Sequence, residues 1–261
     1  MKNILITGGA GFIGSRLTEK LVEKGCKVTI LDNLSSQVHG QSESLLYRRI
    51  NKISDFIKGD VRSLSDWKAS IKNQDIIVHL AAETGTAQSM YEIDRYNDVN
   101  VMGTSHLYDV LLNSEHSIKK IIVASSRAIY GEGKYNCVTH GIQYPLEREE
   151  SNMLQGNFNP ICKHCRGQLM PMPTDEESIT HPSSIYGISK YQQESMCILM
   201  GKSLNIPTVA FRYQNVYGPG QSLSNPYTGI LSIFSTRILN GNNIEVYEDG
   251  DESRDFVYID D

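Results

Sequence analysis

Tyr186 and Lys190, four positions apart, are the residues of this chain best suited to moving a proton. A free phenol, with a pKa of about 10, is a poor base at neutral pH. An adjacent ammonium favours the phenolate and lowers that value, and residues four apart on a helix share a face. Ser126, leaving an apolar run before Tyr130-Gly131, has the hydroxyl to hold the oxygen whose proton Tyr186 takes. Such a pair serves an alcohol that gives up hydride, and the start of the chain has a place for the carrier. In Gly8-Gly9-Ala10-Gly11-Phe12-Ile13-Gly14, Gly8 and Gly11 allow a tight turn and close approach of backbone to a pyrophosphate. Gly14 lets a following helix pack near a sheet. Asp32, about 20 residues beyond the loop, is placed to accept from the adenosine ribose hydroxyls and to repel a 2′-phosphate, which favours NAD over NADP. Taken alone, a Tyr-x-x-x-Lys pair is more often an exposed helix pair, and Asp32 a solvated strand end. Context decides between these readings.

A second group of residues is suited to metal. Cys137-x-x-His140 and Cys162-x-x-Cys165 supply three thiols and one imidazole in two short-spaced pairs, the pattern of a tetrahedral structural zinc site. His164 is an alternative imidazole. No carboxylate or open position accompanies them, so the metal is expected to be structural. The surrounding segment, 132–180, is rich in Pro, Gly and Asn and has little periodicity; a loop of that length needs an organiser. Unmetallated, reduced thiols are the other reading.

The elements that must position these groups follow from hydrophobic periodicity. Ile4, Leu5 and Ile6 lie in a short apolar run suited to a buried strand, and Ile13, Leu17, Leu21 and Val22 recur at helical spacing, ending before Gly25. With a second strand over 28–31 they make the βαβ unit that gives the glycine loop its meaning. Further strands are expected at 53–58, 76–80, 120–125, 208–211 and 244–247, and helices at 91–113, 184–203 and 229–240. The fold expected is α/β, a Rossmann doubly wound parallel sheet. Asp60 and Val61 are then placed at the adenine edge, and Leu80, Ala81 and Ala82 give small residues at a strand's carboxyl end, where a cofactor passes close to backbone.

Composition excludes more than it assigns. A net charge of −5 offers no basic surface, so nucleic acid is not an expected partner. No apolar stretch reaches membrane-spanning length and the first residues read as a core strand, so neither membrane nor signal peptide is expected. A cytoplasmic location follows, where thiols stay reduced. Cys26 and Cys197 are expected to be packing residues.

Together with Gly59-Asp60-Val61, Asn100-Val101-Met102-Gly103-Thr104, Ser125-Ser126, Arg212-Tyr213-Gln214-Asn215-Val216-Tyr217-Gly218-Pro219 and Arg254-Asp255-Phe256, these motifs keep one order along the whole chain. In that order the chain resembles the extended short-chain dehydrogenase/reductases, specifically their nucleotide-sugar epimerases and dehydratases. The resemblance implies that Phe12, Ile13, Asn33, Asn100 and Tyr213 also meet the cofactor, and that Lys190 bonds the nicotinamide ribose. It also sets Asn215 near the sugar nucleotide and Arg254 near its diphosphate; the plainer role for Arg254 is an ion pair with Asp251 or Glu252. Thr84 is suited to the sugar hydroxyls, and Asn225 to the nucleotide.

Dehydratases of this superfamily carry Thr-Asp-Glu where this chain has Ser126-Arg127-Ala128. The carboxylates that eliminate water are missing, so epimerisation at C4 through a transient ketone is expected. The insert and the Ser125–Gly133 and Arg212–Pro226 runs resemble the dTDP-L-rhamnose 4-epimerase branch, which interconverts that sugar with dTDP-6-deoxy-L-talose; a UDP-hexose 4-epimerase is the alternative. The implied organisation is a Rossmann core over 1–131, the zinc-bearing insert over 132–180, and over 181–261 the rest of the core, with the catalytic helix and a partial substrate lobe. Because the chain stops at Asp261, where family members continue, an NAD-binding remnant without turnover is a further reading. A homodimer is expected through helices bearing Leu107, Val110 and Leu111, and Met196, Leu199 and Met200.

Overall fold

Ile4, Leu5 and Ile6 are all buried, Leu5 in one apolar cluster and its two neighbours in another. Successive strand residues point to opposite faces, so both faces of this sheet are covered. The strand is β1 (Asn3–Thr7), followed by β2 (Lys27–Asp32), β3 (Asp55–Lys58), β4 (Ile76–His79) and β5 (Lys120–Ser126). Three short strands come next, β6 (Tyr135–Cys137), β7 (Gly141–Gln143) and β8 (Met170–Pro171), and then β9 (Thr208–Tyr213). The computed structural model describes the chain except for residues 41–43, 224, 226 and 228.

The large sheet has the order β3-β2-β1-β4-β5-β9, parallel throughout. The direction of winding reverses between β1 and β4, and in open sheets of this kind the crevice beyond that switch point receives ligands. The helix Phe12–Glu23 covers one face with Leu17, Leu21 and Val22. Trp67, Leu107, Leu111 and Cys197 cover the other. The helix Ile185–Ser203 begins at Ser184, whose hydroxyl accepts from Gly187 N. That cap fixes where the Tyr186 turn starts.

The segment between β5 and the Tyr186 helix carries its own antiparallel sheet, β7-β6-β8. Its buried cluster is small: Cys137, Cys162 and Leu169, with Tyr135 packed alongside. A two-stranded parallel sheet joins β10 (Asn215–Tyr217) to β11 (Phe256–Tyr258).

Two expectations need correction. Residues 244–247 are not a strand: Val246 and Tyr247 are exposed, and no described strand pairs with them. Branched and aromatic residues need a sheet edge as well as propensity. The helix expected over 91–113 is three pieces, Ile93–Tyr96, a wide π-type turn over Asn97–Met102, and Gly103–Asn113. The wide turn contains Asn100, whose side chain is drawn to neighbouring segments. On the two helices expected to pair in a homodimer, Leu107, Val110 and Leu111 are core residues, Met196 and Met200 pack against that core, and Leu199 is exposed.

Candidate active site

The glycine loop lies between the ends of β1 and β4. A Cβ on Gly8, at φ +68°, would stand 2.8 Å from Ala81 N, and one on Gly14 would stand 2.5 Å from Gly8 O. Only glycine permits this approach of loop, helix and strand end. The helix that follows has Gly11 as its N-cap, with no side-chain cap and no acid in its first turn. Its leading N–H groups therefore face the cleft without a competing anion, the arrangement that binds phosphate.

Asp32 closes β2. Its Oδ2 accepts from Ala10 N at 3.0 Å and its Oδ1 from Leu34 N at 2.8 Å. A carboxylate has about four acceptor sites, so capacity remains for ribose hydroxyls. His39 Nε2 stands 3.7 Å from Oδ1; burial pushes the His39 imidazole down, against the pull of Asp32. At the far side, burial works against ionisation of Asp60, but hydrogen bonds from Arg62 and from Asn33 Nδ2 hold its carboxyl at about 2. These features fit a dinucleotide with free ribose hydroxyls.

Gly8, Gly11, Gly14, Asp32, Asn33, His39 and Asp60, with Phe12, Ile13, Val61, Leu80, Ala81, Ala82 and Tyr213, line one cleft of about 1080 Å³. Ser126, Tyr186 and Lys190 line the same cleft, as do Thr84, Asn215, Asn225 and Arg254. Ser224 and Pro226, which flank Asn225, lie outside the described residues. Asn100 is absent from the cleft wall. It is fully buried, bonding Glu83 N, Glu83 O and Ser189 Oγ, and so ties the loop after β4 to the Tyr186 helix.

Tyr186 and Ser126 line the same cleft, and the Tyr186 ring meets Tyr96 edge-on at 6.3 Å. Burial pushes the phenol's pKa up; the Ser126 hydroxyl and the charge of Arg127 pull it back. Lys190 is 2 % exposed, and burial brings its ammonium down to about 8. That ammonium donates to Gln193 Oε1. The cation acting on the phenol in this arrangement is thus Arg127 rather than Lys190. Gln193 in turn donates to Thr104 Oγ1 at 2.9 Å, which contacts His79 Nε2 at 3.0 Å, while His79 Nδ1 meets Thr7 Oγ1 at 2.7 Å. A buried polar chain therefore runs from β1 to Lys190.

Sequence reasoning passed over Arg127, Gln193 and this chain. Arg127 has a visible signal, since it directly follows Ser126 where elimination enzymes have an acid. Its Nε donates to Asn215 Oδ1 at 3.3 Å. Burial lowers its pKa and so does neighbouring Arg254, which places two guanidiniums at one wall. Arg254 also pairs with Glu252 at 2.7 Å. Two arginines at one wall suit a ligand with more than one negative charge.

The four suspected metal ligands are brought together away from the cleft. Cys137 Sγ, His140 Nδ1, Cys162 Sγ and Cys165 Sγ all lie within 4.8 Å of one another. His164 packs beside His140, with ring centroids 5.1 Å apart, and supplies no atom to the group.

The chain is similar over nearly its whole length to known nucleotide-sugar epimerases. Residues 4–160 and 164–261 match the model of the NAD dependent epimerase/dehydratase family. The dTDP-L-rhamnose 4-epimerase of Burkholderia thailandensis is 37% identical, the match covering 100% of this chain and 70% of that protein. Among solved structures, UDP-glucose 4-epimerase of Thermotoga maritima with UDP-glucose aligns with a TM-score of 0.76 at 30% identity, covering 99% of this chain and 70% of that one. The Thermus thermophilus UDP-glucose 4-epimerase complex with NAD aligns at 0.70 and 26% identity, covering 98% and 70%.

Proposed function

We propose that this chain, which belongs to the NAD dependent epimerase/dehydratase family, is an enzyme that inverts C4 of a nucleotide-activated sugar, with dTDP-L-rhamnose and dTDP-6-deoxy-L-talose as its pair. The observation that carries the reading is Tyr186 and Ser126 together on the wall of the cleft that the glycine loop lines, with Arg127-Ala128 following where elimination would need two carboxylates.

The glycine loop and Asp32 would hold NAD, which would supply the hydride acceptor and donor. Ser126 holds the C4 oxygen beside Tyr186. Tyr186 removes the proton from that oxygen as the ketone forms and returns it when the alcohol is remade. Arg127 keeps the phenolate accessible despite burial. Lys190 would bond the nicotinamide ribose. Arg254 and Arg127 take the diphosphate end of the substrate, Asn215 and Asn225 the nucleotide, and Thr84 the sugar hydroxyls.

The 37% identical relative supports the deoxysugar pair. A UDP-hexose is the second reading, favoured by the likeness to the UDP-glucose enzyme of Thermotoga maritima. Incubation with NAD and dTDP-L-rhamnose, read by NMR, should show the C4 epimer; kcat/KM measured on UDP-glucose ranks the two substrates. Tyr186→Phe should lower kcat by about 10²–10⁴ with NAD still bound. Normal turnover in that variant would remove the basis of the mechanism.

A further inference from the structure

The segment 132–180 has too little apolar core to hold itself. Val138, Ile142, Leu146, Leu154 and Met170 are all exposed, leaving Cys137, Cys162, Leu169 and part of Tyr135 as the packed centre. Small units with so little buried surface are usually stapled by disulfides or metal. The five cysteines are all free, and the 3.6 Å between Cys137 Sγ and Cys165 Sγ exceeds the roughly 2.05 Å of a disulfide.

The spacing fits a different staple. Cys137 Sγ and Cys162 Sγ each lie 3.6 Å from His140 Nδ1, and Cys137 Sγ lies 3.6 Å from Cys165 Sγ. With Zn–S of about 2.3 Å and Zn–N of about 2.0 Å, the edges of a tetrahedron are roughly 3.5–3.8 Å. The backbone is arranged for it as well. Cys137 ends β6 and His140 precedes β7, while Cys162 N bonds Gly167 O and Arg166 N bonds Cys162 O, closing a tight turn. Each hairpin tip thus presents two ligands toward the other.

The knuckle is also wired to the cleft. Arg166, next to Cys165, grips both oxygens of Glu149, at 2.5 and 2.8 Å. Its neighbour Arg148 bonds Glu248 at 2.7 Å and lies 3.5 Å from Glu132 and 3.9 Å from Glu252. Glu252 holds the cleft arginine Arg254. Isolated exposed pairs contribute little, but a bidentate, linked series can fix a geometry.

We propose that Cys137, His140, Cys162 and Cys165 bind one structural zinc ion, and that the loaded hairpins steady the Glu248–Arg254 segment at the mouth of the cleft through Arg166, Glu149 and Arg148. Three thiolates and one imidazole fill all four positions, which leaves no open site for catalysis at the metal. The first half stands independently of the substrate reading; the second rests on it.

The chain purified without chelator or histidine tag should carry one zinc per molecule by mass spectrometry of metals. Removing it should lower Tm by roughly 5 °C or more. Cys162→Ser should lose the metal, and His140→Cys, which keeps four ligands, should retain it. Protein from zinc-supplemented cells with under a tenth of an equivalent, or with a Cys137–Cys165 disulfide, overturns the site. Arg148→Ala should keep its zinc and bind dTDP at least fivefold more weakly, measured by calorimetry. Unchanged dTDP affinity in the zinc-loaded variant overturns the link to the cleft while leaving the metal standing. An absence of sugar turnover would bear on the substrate alone, since zinc content and dTDP binding are read without it.

Discussion

Arg127 is the residue whose removal reports on the chemistry most directly. Burial raises the Tyr186 phenol, and the guanidinium of Arg127 is one of two influences that lower it again. Arg127→Ala should therefore move the phenol's pKa upward, and the ascending limb of log kcat against pH should shift to more alkaline pH. A profile that stays in place would assign Arg127 to substrate binding alone. Lys190 behaves oppositely. Burial has already brought its ammonium down to about 8, so any role that needs its charge in the free enzyme fades above that pH.

At the scale of elements, side-chain hydrogen bonds tie the Tyr186 helix, β9 and the turn after β5 to one another. Arg212 on β9 donates to Glu194 at 2.7 Å and to the Tyr130 hydroxyl at 2.7 Å, while Asn100 ties Ser189 to the loop after β4. The other decisive junction is that of loop and first helix. Gly14→Ala sets a methyl 2.5 Å from Gly8 O, with Gly9 Cα at 2.6 Å. Neither neighbour is a flexible side-chain end, so the helix must move off the loop. NAD affinity by calorimetry should drop at least tenfold, about 1.4 kcal/mol, with secondary structure kept. Undiminished affinity would mean that the loop does not cradle the pyrophosphate.

For the whole molecule, His79 couples stability to pH. It is fully buried between Thr7 and Thr104, and burial, with the charge of Lys190, holds it near about 3, below its usual 6.5. Between those values the unfolded chain binds more protons than the folded one, so stability rises with pH. The molecule should lose stability as pH falls through this window, by the order of a few kcal/mol. Urea unfolding can be followed through Trp67, the single tryptophan and fully buried. His79→Asn should flatten the slope. NAD at a hundredfold excess over its Kd should stabilise the chain by about 2.7 kcal/mol, raising Tm in a concentration-dependent way.

How far the residues spoke for themselves differs from place to place. The βαβ start, the strands through β5 and the helix bearing Tyr186 could be read directly, because buried strands and capped helices write their periods into the chain. The same holds for the glycine loop and for Cys137, His140, Cys162 and Cys165, where chemistry dictates residue type and spacing. The wide turn at Asn97–Met102 could not be read, and the Asn100 amide within it bonds Glu83 and Ser189, partners from distant segments. Nor could the exposed 244–247 run, which has strand-like residues but no described partner. That Arg127 and not Lys190 stands as the charge beside the phenol is likewise a matter of packing. Local order along the chain selects elements and donor types; which charge reaches which hydroxyl depends on side chains that meet only after the sheet has closed, and burial then decides their pKa values.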